Sequence, residues 1–168
     1  MPRPEFNHPA VLSPAALLER LRPLRAAGKR LVFTNGCFDL IHPGHVDLLA
    51  RAKSLGDVLI LGLNSDASVR RQGKGADRPV NPFAARAFVL AHLASVDFVT
   101  EFDEDTPLEL IRAIHPHVLV KGGDWTPDRI VGRDIVEAEG GSALSLPLIS
   151  GCSTTALIAK IRSGNPHG

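Results

Sequence analysis

Two histidines three residues apart, His42 and His45, flank Pro43 and Gly44 and follow the apolar stretch Leu31-Val32-Phe33 and the turn Thr34-Asn35-Gly36. A strand that ends in a glycine turn and hands over to a helix leaves backbone N–H groups unpaired at the helix start, where the helix dipole is positive. Two imidazoles at that point can serve one anion, so residues 31–45 predict an anion site with phosphate as its guest. Three chemistries are open to the pair. They can be local hydrogen-bonding groups at a helix start, as a lone histidine often is. They can join Cys37 as metal ligands, although the second Cys or His pair that zinc spacing supplies is missing. They can donate to phosphoryl oxygens as negative charge develops in a transition state. Their position after a strand and a glycine turn favours the third.

The chain contains neither G-x-G-x-x-G nor G-x-x-x-x-G-K-[ST], so phosphate is not held by a dinucleotide fingerprint or a P-loop. With 168 residues, 44% hydrophobic and 22% charged, the chain has the make-up of an ordinary globular domain. A formal net charge of +1 lacks the basic field of a nucleic-acid binder, and one tryptophan without tyrosine offers little for base stacking. No apolar run approaches the roughly 20 residues of a membrane helix, and MPRPEFNHPA has no signal-peptide apolar region, so the expected location is the cytoplasm. Cys37 and Cys152 are too few for a disulfide framework, which fits a reducing compartment.

Positioning these residues requires strands and helices in alternation. Ser13-Pro14 opens a helix carrying Leu17, Leu18, Leu21 and Leu24, with serine at the cap and proline in the first turn. Strands are predicted at 31–34, 58–63, 96–100, 117–121 and 143–148. Helices are predicted from His45 to Gly56, over 66–71, from an Asn81-Pro82 cap through Ala91, from a Thr106 to Glu109 capping box through Ala113, over 133–138, and from Ser153 through Ile161. The polar loop 72–79 has nothing to bury and is free to cover a ligand. Apolar strands without polar alternation read as a parallel sheet covered on both faces. The expected architecture is therefore an α/β, three-layer Rossmann-like fold with a central, mostly parallel sheet and ligands beyond the strands' carboxyl ends. Residues 1–28 form a leader and helix, and 29–168 the main domain.

His42-Pro43-Gly44-His45 and Cys152-Ser153-Thr154-Thr155 together resemble the motifs of the cytidylyltransferase-like nucleotidyltransferases. Within that superfamily, FTNGCFDLIHPGH, DRPVNP, FDEDTPLELI, VKGGDW and GCSTTALIAKIR are similar to the adenylyltransferases that make ADP-heptose from heptose 1-phosphate. The likeness spans residues 29–162, and the chain looks like the stand-alone form rather than the form fused to a sugar kinase.

The resemblance implies a nucleotidyltransferase fold and roles for particular residues. His42 and His45 would contact the nucleotide phosphates and stabilise the pentacovalent α-phosphorus, and Gly44 would let the triphosphate lie close. Lys74 and Arg86 would hold the attacking and departing phosphates. Thr34, Asn35, Gly36, Cys37, Phe38, Lys121, Gly122, Asp124, Ser153, Thr154 and Thr155 would bind the nucleotide, with Asp124 on a ribose hydroxyl. Asp39, Lys74 and Arg78 would bind the sugar phosphate. ATP would be the donor, assisted by Mg²⁺, and the product would feed bacterial lipopolysaccharide or another surface heptose polymer. Two alternatives accompany this reading: a cytidylyltransferase acting on glycerol 3-phosphate or a similar alcohol phosphate, and a nucleotide-binding subunit without turnover. Apolar residues on the N-terminal helix point to a homodimer or higher homo-oligomer.

Overall fold

The computed structural model describes residues 6–73, 75, 77–123 and 125–164. Lys74 and Asp124, to which the resemblance gives roles, lie outside the described residues. The elements in order are β1 (Val11–Leu12), α1 (Pro14–Ala26), β2 (Leu31–Gly36), α2 (Pro43–Lys53), β3 (Val58–Asn64), α3 (Asp66–Arg71), α4 (Phe83–Ala91), β4 (Phe98–Phe102), α5 (Leu108–Ile114), β5 (Val118–Gly122), a 3-10 turn (Pro127–Arg129), α6 (Arg133–Ala138), β6 (Ser142–Leu146) and α7 (Thr154–Ser163).

All six strands run parallel in the order β1-β4-β3-β2-β5-β6. From β2 the chain winds outward through β3 and β4, then crosses back to build β5 and β6 on the other side. The carboxyl ends of β2 and β5 thus border the crevice where the winding reverses, the usual ligand position of an open α/β sheet.

Successive side chains of a strand point to opposite faces, and two buried clusters follow from that. Val32, Leu59, Leu61, Leu63, Val118 and Val120 pack under Leu48 and Leu49 of α2 and Leu90 of α4. Leu31, Phe33, Val58, Ile60 and Leu119 pack under Leu17 and Leu21 of α1, Ile111 and Ile114 of α5, and Val136 of α6. Every residue of β3 is buried, as a central parallel strand requires. Gly62 is part of that fit, because a Cβ there would lie 2.7 Å from the Phe33 ring.

Several elements differ from expectation. β1 is a two-residue edge, pairing Val11 with Val99 and Leu12 with Thr100, too short to leave a periodic signal. β4 starts at Phe98 rather than Val96, because Leu93 to Val96 forms a turn. β6 ends at Leu146, before Pro147, which has no N–H for the ladder. Pro82 and Pro107, without side-chain caps, precede α4 and α5, while Asn81 is bonded to Asp39 instead. Ser13 and Ser153 do cap α1 and α7. All four leucines of α1 pack on the body, so this helix offers no exposed apolar stripe for a second copy. Among the described residues no helix is long and apolar enough to cross a membrane.

Candidate active site

The site is built where β2 ends and α2 begins. Phe38 has a positive φ of 42° and is buried, and its ring fills the space a Cβ on Gly36 would need, 2.8 Å away. The Phe38 ring then rests against His45, with centroids 4.9 Å apart. His42 is the residue before α2, extended at φ −140° and ψ 166°, and it caps the helix through its carbonyl rather than its ring. The two imidazoles stack on one another with centroids 3.7 Å apart and an interplanar angle of 18°.

Stacking and burial set the charge of the pair. The His42 pKa is lowered by burial. That of His45 is lowered to about 4, first by burial and then by the neighbouring His42, with the Leu40 carbonyl acting the other way. Both rings are neutral near pH 7, each with one N–H to donate and one nitrogen to accept. Nδ1 of each is buried without a hydrogen-bond partner. Buried polar atoms are normally paired; these two nitrogens share that lack with Thr34 Oγ1 and Thr100 Oγ1, but only the histidines also border cavities.

Gly44 keeps this place open. A Cβ there would lie 3.1 Å from Cβ of Cys152 and 3.2 Å from Nδ1 of His42. The contact brings the start of α7 to the start of α2, and Thr154 Oγ1 donates to the Leu40 carbonyl at 3.4 Å. Two helix N-termini thus face the same corner, which favours anions. A cavity of about 600 Å³ lies between them, lined by His42, Gly151, Cys152, Ser153 and Lys160. A second, of about 250 Å³, is lined by Asn35, Gly36, Cys37, Phe38, His45, Lys121, Gly122 and Trp125. His42 faces one and His45 the other, so the imidazole pair stands on the divide.

The remaining predicted residues separate into those at the cavities and those beneath them. Asn35 Oδ1 accepts from Lys121 Nζ at 3.3 Å, and that ammonium lies 5.5 Å from the Trp125 ring centroid. Cys37 is buried with Sγ 3.2 Å from Gln72 Oε1, and neither cysteine is in a disulfide. Ser153 Oγ accepts from the Ala156 N–H, and Thr155 is exposed. Thr34 is fully buried and lines neither cavity.

Three charged residues expected to touch phosphate or sugar are instead packed inside. The Arg86 side chain is 0% exposed. Its Nε donates to Asn81 O, Nη1 to Cys37 O, and Nη2 to Asn64 O and Asp66 Oδ1. It clamps the ends of β2 and β3 to the start of α4 and presents nothing to a phosphate. Asp39, expected at the sugar, is also fully enclosed. Its carboxylate accepts from Arg78 Nε at 2.5 Å and from the backbone N–H groups of Val80 and Asn81, each at 2.9 Å. Arg78, expected beside it at the sugar, is consumed by that pairing. Asp39 and Arg78 are enclosed because residues 78–81 lie against the β2–α2 turn, whereas Arg86 is enclosed from α4 by acceptors at the ends of β2 and β3. Trp125 was missed as a site residue, although VKGGDW ends on it.

A doubly wound parallel sheet with a neutral imidazole pair at its switch point and two helix starts beside it is a Rossmann-like α/β domain. The Cytidylyltransferase-like family model matches residues 33–145; the chain belongs to the cytidylyltransferase-like family. It is 56% identical over 150 residues to the bifunctional protein HldE of Geotalea uraniireducens, covering 89% of this chain and 30% of that protein. It is likewise 56% identical over 153 residues to HldE of Halorhodospira halophila, covering 91% and 32%. The chain thus spans about a third of the length of these relatives. Its fold is shared with a lipopolysaccharide core biosynthesis protein from Thermoplasma volcanium, at TM-score 0.60 and 24% identity over 73% of this chain and 98% of that one. It is also shared with a pantoate-beta-alanine ligase from Francisella tularensis, at TM-score 0.58 and 14% identity over 90% and 76%.

Proposed function

We propose that the chain transfers AMP from ATP to a heptose 1-phosphate, giving ADP-heptose and pyrophosphate for bacterial lipopolysaccharide or another surface heptose polymer, in the cytoplasm. The observation that carries this reading is the stacked, neutral His42–His45 pair with its orphaned Nδ1 atoms. The motifs shared with ADP-heptose-forming adenylyltransferases and the 56% identity to two HldE proteins supply the substrate.

In the reaction an oxygen of the acceptor's phosphate attacks the α-phosphorus in line. A new O–P bond forms, the bond from the α-phosphorus to the bridging oxygen breaks, and its electron pair leaves with pyrophosphate. No side chain acts as nucleophile. The protein positions the reactants and stabilises charge on the pentacovalent phosphorus, a role for imidazole N–H groups and helix N-termini in a water-poor corner. Gly44 permits close approach, Lys121 supplies positive charge, and Arg86 fixes the strand ends from below.

Among the described residues no three His, Cys, Asp or Glu side chains converge to hold a metal, and the Asp39 carboxylate is already filled. Mg²⁺ therefore fits here as a companion of the triphosphate, on phosphate oxygens and water. It would supply further neutralisation of phosphate charge.

Pyrophosphate release from ATP or CTP, each paired with heptose 1-phosphate or glycerol 3-phosphate, tests the assignment. Only ATP with heptose 1-phosphate is expected to respond strongly. A response confined to CTP with glycerol 3-phosphate would move the chain to the cytidylyltransferase reaction, and silence with every pair would make it a binding subunit.

A further inference from the structure

Across Asn35 and Lys121 from His45 lies another cleft, of about 210 Å³, bounded by the carboxyl ends of β2, β3 and β5, the turn after β4, and the 3-10 turn. It is smaller than the roughly 300–1,000 Å³ of a drug-sized site, the scale of one sugar rather than a nucleotide. Its walls are of two kinds. Trp125 and Ile130 are apolar, while Gln72, Asp105 and Arg129 bring an amide, a carboxylate and a guanidinium. That mixture suits a polyol, whose C–H groups pack on apolar faces while its hydroxyls both donate and accept.

The cleft is joined to the imidazole site in a way that orders its ligand. Asn35, Lys121 and Trp125 line both, so a molecule with a phosphate at one end and hydroxyls at the other can set the phosphate at Lys121 and the hydroxyls in the cleft. The groups at its rim have bonding capacity left. Arg129 makes no ion pair among the described residues. Asp105 is oriented through Oδ1 by Arg71 Nε at 3.0 Å, and its Oδ2 makes no hydrogen bond among the described residues.

We propose that this cleft is the acceptor subsite, that it takes a polyhydroxylated phosphate monoester, and that Arg129 and Asp105 set which one is accepted. The proposal rests on the transfer reaction above and places its sugar on residues outside the H-x-G-H motif. Arg129 donates to the sugar hydroxyls and Asp105 accepts from them, while the phosphate stays at Lys121.

Trp125 is the chain's one tryptophan and lines the cleft, so its fluorescence reads occupancy without turnover. Heptose 1-phosphate and, separately, ATP are titrated into the wild type, Arg129→Ala and Asp105→Asn, and steady-state pyrophosphate release is measured on the same proteins. Both substituted residues are solvent-exposed, and circular dichroism checks that the variants fold. The expected result is a change in fluorescence with heptose 1-phosphate whose midpoint rises about tenfold in each variant, with a parallel rise in acceptor KM. The ATP midpoint and KM should stay within about twofold under the same reasoning. No fluorescence response to heptose 1-phosphate, unchanged midpoints in both variants, or an equal rise for ATP would overturn the subsite. Binding that behaves as expected in a protein that releases no pyrophosphate would instead refute the transfer reaction and leave the subsite standing.

Discussion

Replacing Asp39 by alanine should destabilise the whole domain, and the size of the loss follows from what surrounds the carboxylate. The side chains of Asp39 and Arg78 are 0% and 5% exposed, and Oδ2 sits 2.5 Å from Arg78 Nε. Two backbone N–H groups, of Val80 and Asn81, also donate to that carboxylate at 2.9 Å. Truncation leaves a buried guanidinium without a counter-charge and two donors without an acceptor. Breaking one partner of a buried pair costs about 3–5 kcal/mol, most of it the price of the charge left behind. Asp39→Ala is therefore expected to lose about 4 kcal/mol in guanidinium or urea unfolding followed by circular dichroism. In Asp39→Ala/Arg78→Met the stranded charge is gone, so the double variant should be more stable than Asp39→Ala by about 1–3 kcal/mol, a non-additivity expected of contacting residues. The reasoning fails if Asp39→Ala costs less than about 1 kcal/mol, or if the two substitutions simply add. A fully stable Asp39→Ala with a raised KM for the sugar phosphate would return the carboxylate to the substrate.

Other expectations concern the site itself. His42→Ala and His45→Ala should each lower turnover by about 10²-fold or more, as loss of a transition-state donor does, with the variants checked for folding by circular dichroism; pyrophosphate release at an undiminished rate would remove the rings from the chemistry. The folded His45 pKa of about 4 lies below the ordinary 6.5, so between these values the unfolded chain binds a proton that the folded one refuses, and stability drops as pH falls through that window. Discounted for the ring's partial exposure, the contribution is about 1–2 kcal/mol, and His45→Gln should flatten this part of the stability-against-pH curve; superimposable curves would contradict it. Gly44→Ala places a methyl 3.1–3.2 Å from Cys152 and His42 and should lower kcat/KM for ATP by about tenfold or more through misplacement of the reacting groups, while leaving a folded protein by circular dichroism; wild-type kinetics would show that the corner yields.

What could be read along the chain was whatever depends on near neighbours. Apolar runs such as Val58 to Leu63 declared central parallel strands, because a strand covered on both faces has no polar alternation to show. The step from Gly36 to His45 declared a strand end handing over to a helix start, because strand, glycine and helix are consecutive there. Arg129 carried no comparable signal, and Trp125 none beyond ending VKGGDW, since an exposed aromatic or cation looks the same in sequence whether or not a cleft lies beside it.

The sequence by itself determined a Rossmann-like layering and set the H-x-G-H segment between a strand end and a helix start, because both follow from consecutive residues. Tertiary structure alone decided the protonation of that segment's two imidazoles, since their 3.7 Å stack and burial arise only when the turn closes over Phe38. It alone also decided which charges are enclosed by the fold. Asp39 and Arg78 are 39 residues apart, and Arg86 reaches acceptors as far back as Cys37. A charged side chain reads identically whether solvated, catalytic or buried in a pair. Its partner is chosen by distance in space, and local spacing holds no record of that distance.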